Sequence, residues 1–445
     1  MSAPDPVTGL LIAVPTVIVA CLAGAALARR IGQPPVVGEI SAGILLGPSL
    51  LGMVWPAGQT WLIPPASVPY VGALGQLGLL VFMFLIGLEL DPGLLRGLGR
   101  TALVVSQAGI VLPLLLGTAL ATGMYGYLAP DGVGQLPFVL FIAVALSITA
   151  FPVLARILTD RGMYHTSLAA LAMASAAVND ALAWCLLAIV VTVSHSGSAL
   201  DPVRTVAESA LFVAAMLYLV RPALARWTPG AGRPAKNDAG RPVPDAPGAG
   251  RDGLVLLALF TGICLSSFTT DRIGLHALFG AFLFGLVVPR RSLVIERVAT
   301  RLRTVVVPLL LPLFFATTGL STDIGMLDND PALWLWAVAV LAVAVLGKWG
   351  GSTLAARACG QSWRDALSLG ALMDCRGLTE LVILNIGLQL GVIGRDLFTV
   401  LVLMALVTTA LTTPALNRLR GRDDAPGFVP EPELLQDVAA HGDRA

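Results

Sequence analysis

The stretch Ala169–Ile189 reads AALAMASAAVNDALAWCLLAI, and its one acid, Asp180, stands beside Asn179 within an apolar run from about 166 to 193. At about 1.5 Å per helical residue that run is long enough to cross a bilayer, with Asp180 near the midplane. An aspartate at that depth costs about 2.5–3.5 kcal/mol, so an intramembrane carboxylate marks a functional site by default. Its chemistry is a choice of partner. A low dielectric disfavours the bare charge: protonated, the group is neutral and holds no cation, and deprotonated it attracts one. One such carboxyl can therefore hold H+ or a small monovalent cation, never both.

Neighbouring residue types extend that chemistry. Only Lys236 and Lys348 among the 28 basic residues are lysines, and Lys348 lies in an apolar segment, in GKWGG. Lysine can release its proton when buried, whereas arginine cannot. Lys348 therefore reads either as a fixed counter-charge or as a second proton carrier. Gly347, Gly350 and Gly351 let a neighbouring helix come close to it. Ser175 precedes Asn179 by one turn on the same face, where its hydroxyl either reaches the ion or bonds the carbonyl four residues back.

These groups need a membrane scaffold, and the composition supplies one. The 445 residues are 56% hydrophobic and 12% charged, with a mean hydropathy of +0.84, too little charge for a soluble domain. A net charge of +1 argues against a nucleic-acid partner. The five cysteines lie in or beside apolar runs without paired spacing, which fits small apolar residues and neither disulfides nor metal ligands. The first 30 residues lack a basic leader and a small-residue cleavage site, so they read as the first spanning helix.

Hydropathy and helix breakers predict an all-α polytopic protein of thirteen transmembrane helices, near 7–28, 35–52, 68–90, 99–126, 136–158, 166–194, 202–226, 253–270, 275–289, 304–320, 332–356, 364–388 and 396–417. With the N-terminus outside, 23 of the 28 basic residues fall on the cytoplasmic side and three (Arg204, Arg272, Arg395) outside, leaving Lys348 and Arg376 in the membrane. That asymmetry supports the odd helix count, a cytoplasmic C-terminus and a multi-pass plasma-membrane protein. Residues 1–422 form the membrane domain, with helices 1–7 in 1–226 and helices 8–13 in 253–417. Between them the Pro/Gly/Ala-rich stretch 227–252 reads as a disordered cytoplasmic linker, and 423–445 as a short cytoplasmic tail.

Two predicted helices are interrupted. The fifth reads SITAFPVLARIL, with Pro152 where a helix needs a donor, and the twelfth reads ALMDCRGLTELVILNIG, with Asp374, Arg376, Gly377 and Glu380 inside it. They are seven helices apart and so run in opposite directions. Matched broken helices in antiparallel halves point to an inverted-repeat transporter whose site lies where they cross. The same offset places Asp180 in one half and Lys348 in the other.

SITAFPVLARIL, ASAAVNDALAW, GKWGG and MDCRGLTELVILNIGLQLGVI, in this order, resemble the monovalent cation:proton antiporter family, especially its plant cation/proton exchanger branch and bacterial relatives. GQPPVVGEISAGILLGPSLLG and LGLLVFMFLIGLELD fit the same pattern, and the likeness runs from about residue 8 to 417. The resemblance implies a thirteen-helix antiporter with crossed helices 5 and 12, a dimerisation domain, a mobile core and a homodimeric assembly. It implies no cofactor beyond the transported Na+ or K+ and H+, and no enzymatic activity. Carried residue by residue, the family's paired site lands on Asn179 and Asp180, its basic residue on Lys348 and its unwound threonine on Thr149. Asp180 matches the carboxylate that binds cation and proton in turn. Asn179 matches a position that is Asp in electrogenic members and Asn in those taken as electroneutral.

With Asn179 unable to ionise, one acid exchanges one H+ for one cation. A proton released by Lys348 would make the exchange electrogenic, and a transport-inactive sensor or an ion channel are the alternatives on the same fold. Asp374, Arg376 and Glu380 are expected to be supporting charges at the broken helix. Glu39 reads either as structural or as part of a cytoplasmic funnel. His165, His195 and His276 fall at helix ends or in loops, and no GxSxG or HExxH motif accompanies Asp180, which argues against an intramembrane enzyme.

Overall fold

A computed structural model describes residues 6–89, 100–163, 166–195, 201–227, 249–273, 277–289, 292–328 and 331–420. The chain is helical throughout these residues: α1 Pro6–Arg30, α2 Pro35–Leu46, α3 Pro56–Leu62, α4 Val68–Glu89, α5 Arg100–Leu128, α6 Gln135–Ser147, α7 Phe151–Asp160, α8 Ser167–His195, α9 Asp201–Ala215 and α10 Arg221–Trp227. There follow α11 Ala249–Ile273, α12 Ala277–Val287, α13 Leu293–Val305, α14 Leu311–Leu320, α15 Gly325–Asp328, α16 Pro331–Val345, α17 Gly351–Ala358, α18 Trp363–Met373, α19 Leu378–Gln389 and α20 Arg395–Arg420.

Among the described residues ten helical stretches are long and apolar enough to cross a membrane. The predicted segments near 136–158, 275–289 and 364–388 contain shorter helices: α6 and α7, α12, and α18 and α19. Four wider π-turns were not foreseen: Pro48–Gly52, Met216–Val220, Val306–Leu310 and Leu346–Gly350, three of them joining α9 to α10, α13 to α14 and α16 to α17. Pro222 and Pro312 follow two of them, where a proline ring would otherwise strike the carbonyl four residues back. Residues 249–252 depart from the expected linker by forming the first turn of α11. There the buried Asp252 lies 3.4 Å from Arg297 and 3.1 Å from Arg301 of α13, and an acid suits a helix N-terminus. The rest of that linker (228–248) and the tail lie outside the described residues.

The chain divides into two compact units. One comprises Met1–Leu27, Gly38–Gly93 and Trp184–Asn329, and the other Ala28–Val37, Leu94–Ala183 and Asp330–Ala445. In lipid the hydrophobic effect does not draw helices together, so small residues that let backbones touch do much of the packing. The first unit shows this where α4 meets α12. A Cβ on Gly87 would lie 2.1 Å from the Phe282 carbonyl oxygen, and one on Gly285 2.1 Å from that of Phe84. Phe84 and Phe284 pack beside this contact with ring centroids 5.8 Å apart.

In the second unit, Leu154, Leu158, Ala169, Ala172, Ala176, Leu369 and Met373 are among the residues of one buried cluster. Two of its helices stop inside the unit. α6 gives way to α7 across Ile148–Ala150, just before Pro152, and α18 gives way to α19 across Asp374–Gly377. Asp374 and Arg376 therefore occupy a break and not a helix.

Gly285→Leu places a side chain where the Phe84 carbonyl stands, at a cost of about 3 kcal/mol. The melting temperature of the purified protein should fall by roughly 3 °C. Gly72→Leu, at a position with no atom within 4 Å of a built Cβ, should leave it nearly unchanged.

Candidate functional site

Every intramembrane polar residue singled out on the fifth, sixth, eleventh and twelfth predicted helices falls in the second unit. Asn179 and Asp180 sit in the middle of α8, Asn179 fully buried and Asp180 7% exposed. Asn179 Oδ1 accepts from the Thr149 backbone N–H at 3.2 Å and from Lys348 Nζ at 3.4 Å. Two donors on one atom fix which end of the amide is oxygen. Its Nδ2 has no acceptor and Asp180 Oδ1 no donor among the described residues. The Thr379 hydroxyl, in the first turn of α19, hydrogen-bonds the Asp180 carboxylate.

Lys348 stands in the π-turn Leu346–Gly350 and is fully buried. Its ammonium donates to Gly109 O at 3.2 Å, to Ser147 O and to Asn179 Oδ1. The second of these acceptors explains the arrangement. α6 ends at Ser147, so its last carbonyls have no helical N–H to receive. Arg376 takes two of them, Ala145 O at 3.1 Å and Leu146 O at 2.7 Å, and Lys348 takes Ser147 O. Both cations thus occupy the negative end of a half-helix, where the backbone dipole favours them.

The two breaks touch. Thr149 Oγ1 donates to Met373 O at 2.9 Å, the Ala150 N–H donates to Cys375 O at 3.1 Å, and a Cβ on Gly377 would lie 2.5 Å from Val153 Cγ2. Thr409 of α20 pins the Arg376 peptide from the other side, accepting its N–H at 2.9 Å and donating to its carbonyl at 2.6 Å. Arg376 and Glu380, both fully buried, form an ion pair at 2.8 Å.

Of the residues expected at the site, the structure joins Thr149, Asn179 and Lys348 in one hydrogen-bonded chain that runs on to Met373 O, with Asp180 next to Asn179 and bonded to Thr379. Ser175 donates across to Ala102 O at 3.2 Å, which is neither the expected bond to its own helix nor a contact with Asp180. Glu39, half-buried on α2, belongs to the first unit. His165 and His276 lie outside the described residues. Gly109, Ser147, Thr379 and Thr409 were not foreseen. Gly109 contributes only a main-chain oxygen, which leaves no mark on residue type, whereas Ser147 adds to its carbonyl a hydroxyl that donates to Val144 O at 2.8 Å. The paired threonines of VTTALTTP were the one visible signal for Thr409. The end carbonyls of α6 are committed to Arg376 and Lys348, which leaves the unpartnered oxygen of the Asp180 carboxylate as the group that could meet a cation here.

The chain is similar to known proteins over most of its length. The family model described as "Sodium/hydrogen exchanger, transmembrane" matches residues 17–419. The chain is 39% identical over 391 residues to the Na(+)/H(+) antiporter NhaS4 of Synechocystis, covering 88% of this chain and 92% of that one. It is 40% identical over 402 residues to Cation/H(+) antiporter 20 of Arabidopsis thaliana, covering 88% of this chain and 46% of that one, and 33% identical over 389 residues to K(+)/H(+) antiporter 1 of Saccharomyces cerevisiae, covering 86% and 43%. The chain thus spans about half the length of these plant and yeast relatives. The structure of the sodium proton antiporter MjNhaP1 from Methanocaldococcus jannaschii at pH 8 shares the fold, with a TM-score of 0.64 at 14% identity, over 95% of this chain and 100% of that one.

Thr149→Val keeps the shape but removes the donor to Met373 O, leaving a buried carbonyl unpaired at a cost of about 1–3 kcal/mol. The melting temperature should fall by several degrees, and Thr149→Ser should recover most of the loss.

Proposed function

Because the chain belongs to the transmembrane sodium/hydrogen exchanger family, we propose that it is a secondary transporter exchanging a monovalent cation, Na+ or K+, for H+ by alternating access. The observation that carries this reading is Asp180: a buried carboxylate with one oxygen lacking a donor and, among the described residues, no basic group within ion-pair distance. Its neighbour in the chain, Asn179, is an amide held by Thr149 and Lys348 and cannot ionise. Asp180 takes the cation when deprotonated and releases it on protonation. The protein changes its open side only when that carboxylate is loaded, and each cycle then moves one cation against one proton.

The cation would be held by the Asp180 carboxylate with help from the Thr379 hydroxyl and the oxygens gathered at the breaks, including Thr149. Lys348 holds Asn179 and the end of α6. The wider arrangement follows: thirteen crossings, α6–α7 crossing α18–α19 within an inverted repeat, a homodimer in the plasma membrane, and an external N-terminus. The contact of the two breaks through Thr149 and Ala150 supports the crossing, and the cytoplasmic excess of arginine supports the orientation.

Dequenching of a pH dye in proteoliposomes on addition of Na+ or K+ tests the exchange. Wild type should dequench with saturable cation dependence, and Asp180→Asn should fall to the level of empty liposomes. Undiminished exchange by that variant would overturn the reading. A current evoked by a pH jump would overturn one-for-one stoichiometry, since each unpaired charge moved is worth about 2.3 kcal/mol per 100 mV.

A further inference from the structure

Five ionisable side chains are buried among the described residues of the second unit's core: Asp180, Lys348, Asp374, Arg376 and Glu380. Their pairing is uneven. Arg376 and Glu380 hold each other directly, and Arg376 also closes the end of α6. Lys348 is fully buried yet touches only neutral oxygens, with no carboxylate within ion-pair distance. Asp374 is 2% exposed, and its Oδ1 has no donor among the described residues.

Position sharpens the contrast between the two acids. Glu380 lies in the first turn of α19, where the helix dipole favours an acid. Asp374 caps the C-terminus of α18, the negative end, which is the wrong place for one. A buried charge persists only when another compensates it. Asp374 directly follows Met373, whose carbonyl takes the Thr149 hydroxyl, while the Thr149 N–H and Lys348 share Asn179 Oδ1, so Asp374 and Lys348 stand at two ends of one hydrogen-bonded cluster. Arg376 alone faces two acids; only with Lys348 do cations and anions balance.

We propose that Lys348, Asp374, Arg376 and Glu380 form a standing, charge-balanced quartet in which Asp374 is the counter-charge of Lys348, leaving Asp180 as the one group whose charge changes. Asp374 is a positioning residue that acts through Lys348. The inference deepens the exchange reading above and rests on it for its consequence. With Asp180 carrying a proton or a cation the five groups are neutral together, and with Asp180 empty they carry one negative charge. The empty carrier is then the form least able to move, which couples the two fluxes.

The test is a double-mutant cycle on the melting temperature of the purified full-length protein in detergent. Lys348→Gln and Asp374→Asn each leave one buried charge unmatched and should each lower it by about 3–5 °C. The Lys348→Gln/Asp374→Asn double variant should return to within about 1 °C of wild type, and Asp374→Glu should stay close to it. Lys348→Gln/Glu380→Gln, which opens the pair with Arg376, should not recover. Losses that add in the first double variant, or equal recovery in the second, would overturn the proposal. Where a single variant yields no folded protein, a monodisperse peak for the first double variant supports pairing and its absence refutes it. The cycle needs no transport. Additive losses alongside an inactive Asp180→Asn refute the quartet alone, and recovery alongside an active Asp180→Asn refutes the exchange reading alone.

Discussion

A helix that stops inside a membrane protein exposes carbonyl oxygens where water cannot reach them, and each must be met by a donor. The end of α6 is such a place, and most of the second unit's polar architecture answers to it. Arg376 reaches back from the second break to take two of the carbonyls, and Lys348 reaches in from another helix to take the third. Once two cations are committed there, anions must follow, and Glu380 and Asp374 are supplied by the same broken segment as Arg376. The acid on α8 and the amide beside it are placed against this already charged framework.

The same constraint explains why the breaks are stitched by main-chain atoms. Thr149 and Ala150 bond the backbone of Met373 and Cys375, and Thr409 brackets the Arg376 peptide on both sides. Groups freed from a helix by an interruption find partners in the opposing interruption and its nearest neighbour. A threonine is well suited to this work because one hydroxyl can both accept and donate.

Much of this was legible in the chain before folding was considered. Asp180, Asn179 and Lys348 stand out because polar side chains are costly in an apolar run, and Pro152 and the cluster around Arg376 mark the interruptions for the same reason. Family membership was legible too, because several of these costly residues recur in a fixed order. What could not be read was carried by atoms common to all residues. Gly109 and Ser147 matter through their carbonyl oxygens, and nothing about a glycine or a serine in a helix announces that. Ser175 shows the limit from the other side: its hydroxyl was expected either to reach the ion or to bond the carbonyl four residues back, and it donates instead to Ala102 O on α5, because packing decided which oxygen came near. Residues 249–252 were misread as linker because a charged, glycine-containing sequence resembles a loop until Asp252 finds its arginines.

The π-turn that carries Lys348 is, in effect, one residue more than an α-helix would use. Each helical residue advances about 100° around the axis, so a single surplus position turns everything beyond it by that angle. Trp349 and Thr353 of this region abut Gly370 of α18, where a Cβ would lie 2.2 Å from Thr353 Oγ1 and 2.6 Å from the Trp349 carbonyl oxygen. The surplus residue therefore acts as a phase correction: it lets one continuous rod present its ammonium inward from the bulge and still dock against α18 in the turn that follows. Removing a single residue from 346–350 would force the chain to choose between those two alignments.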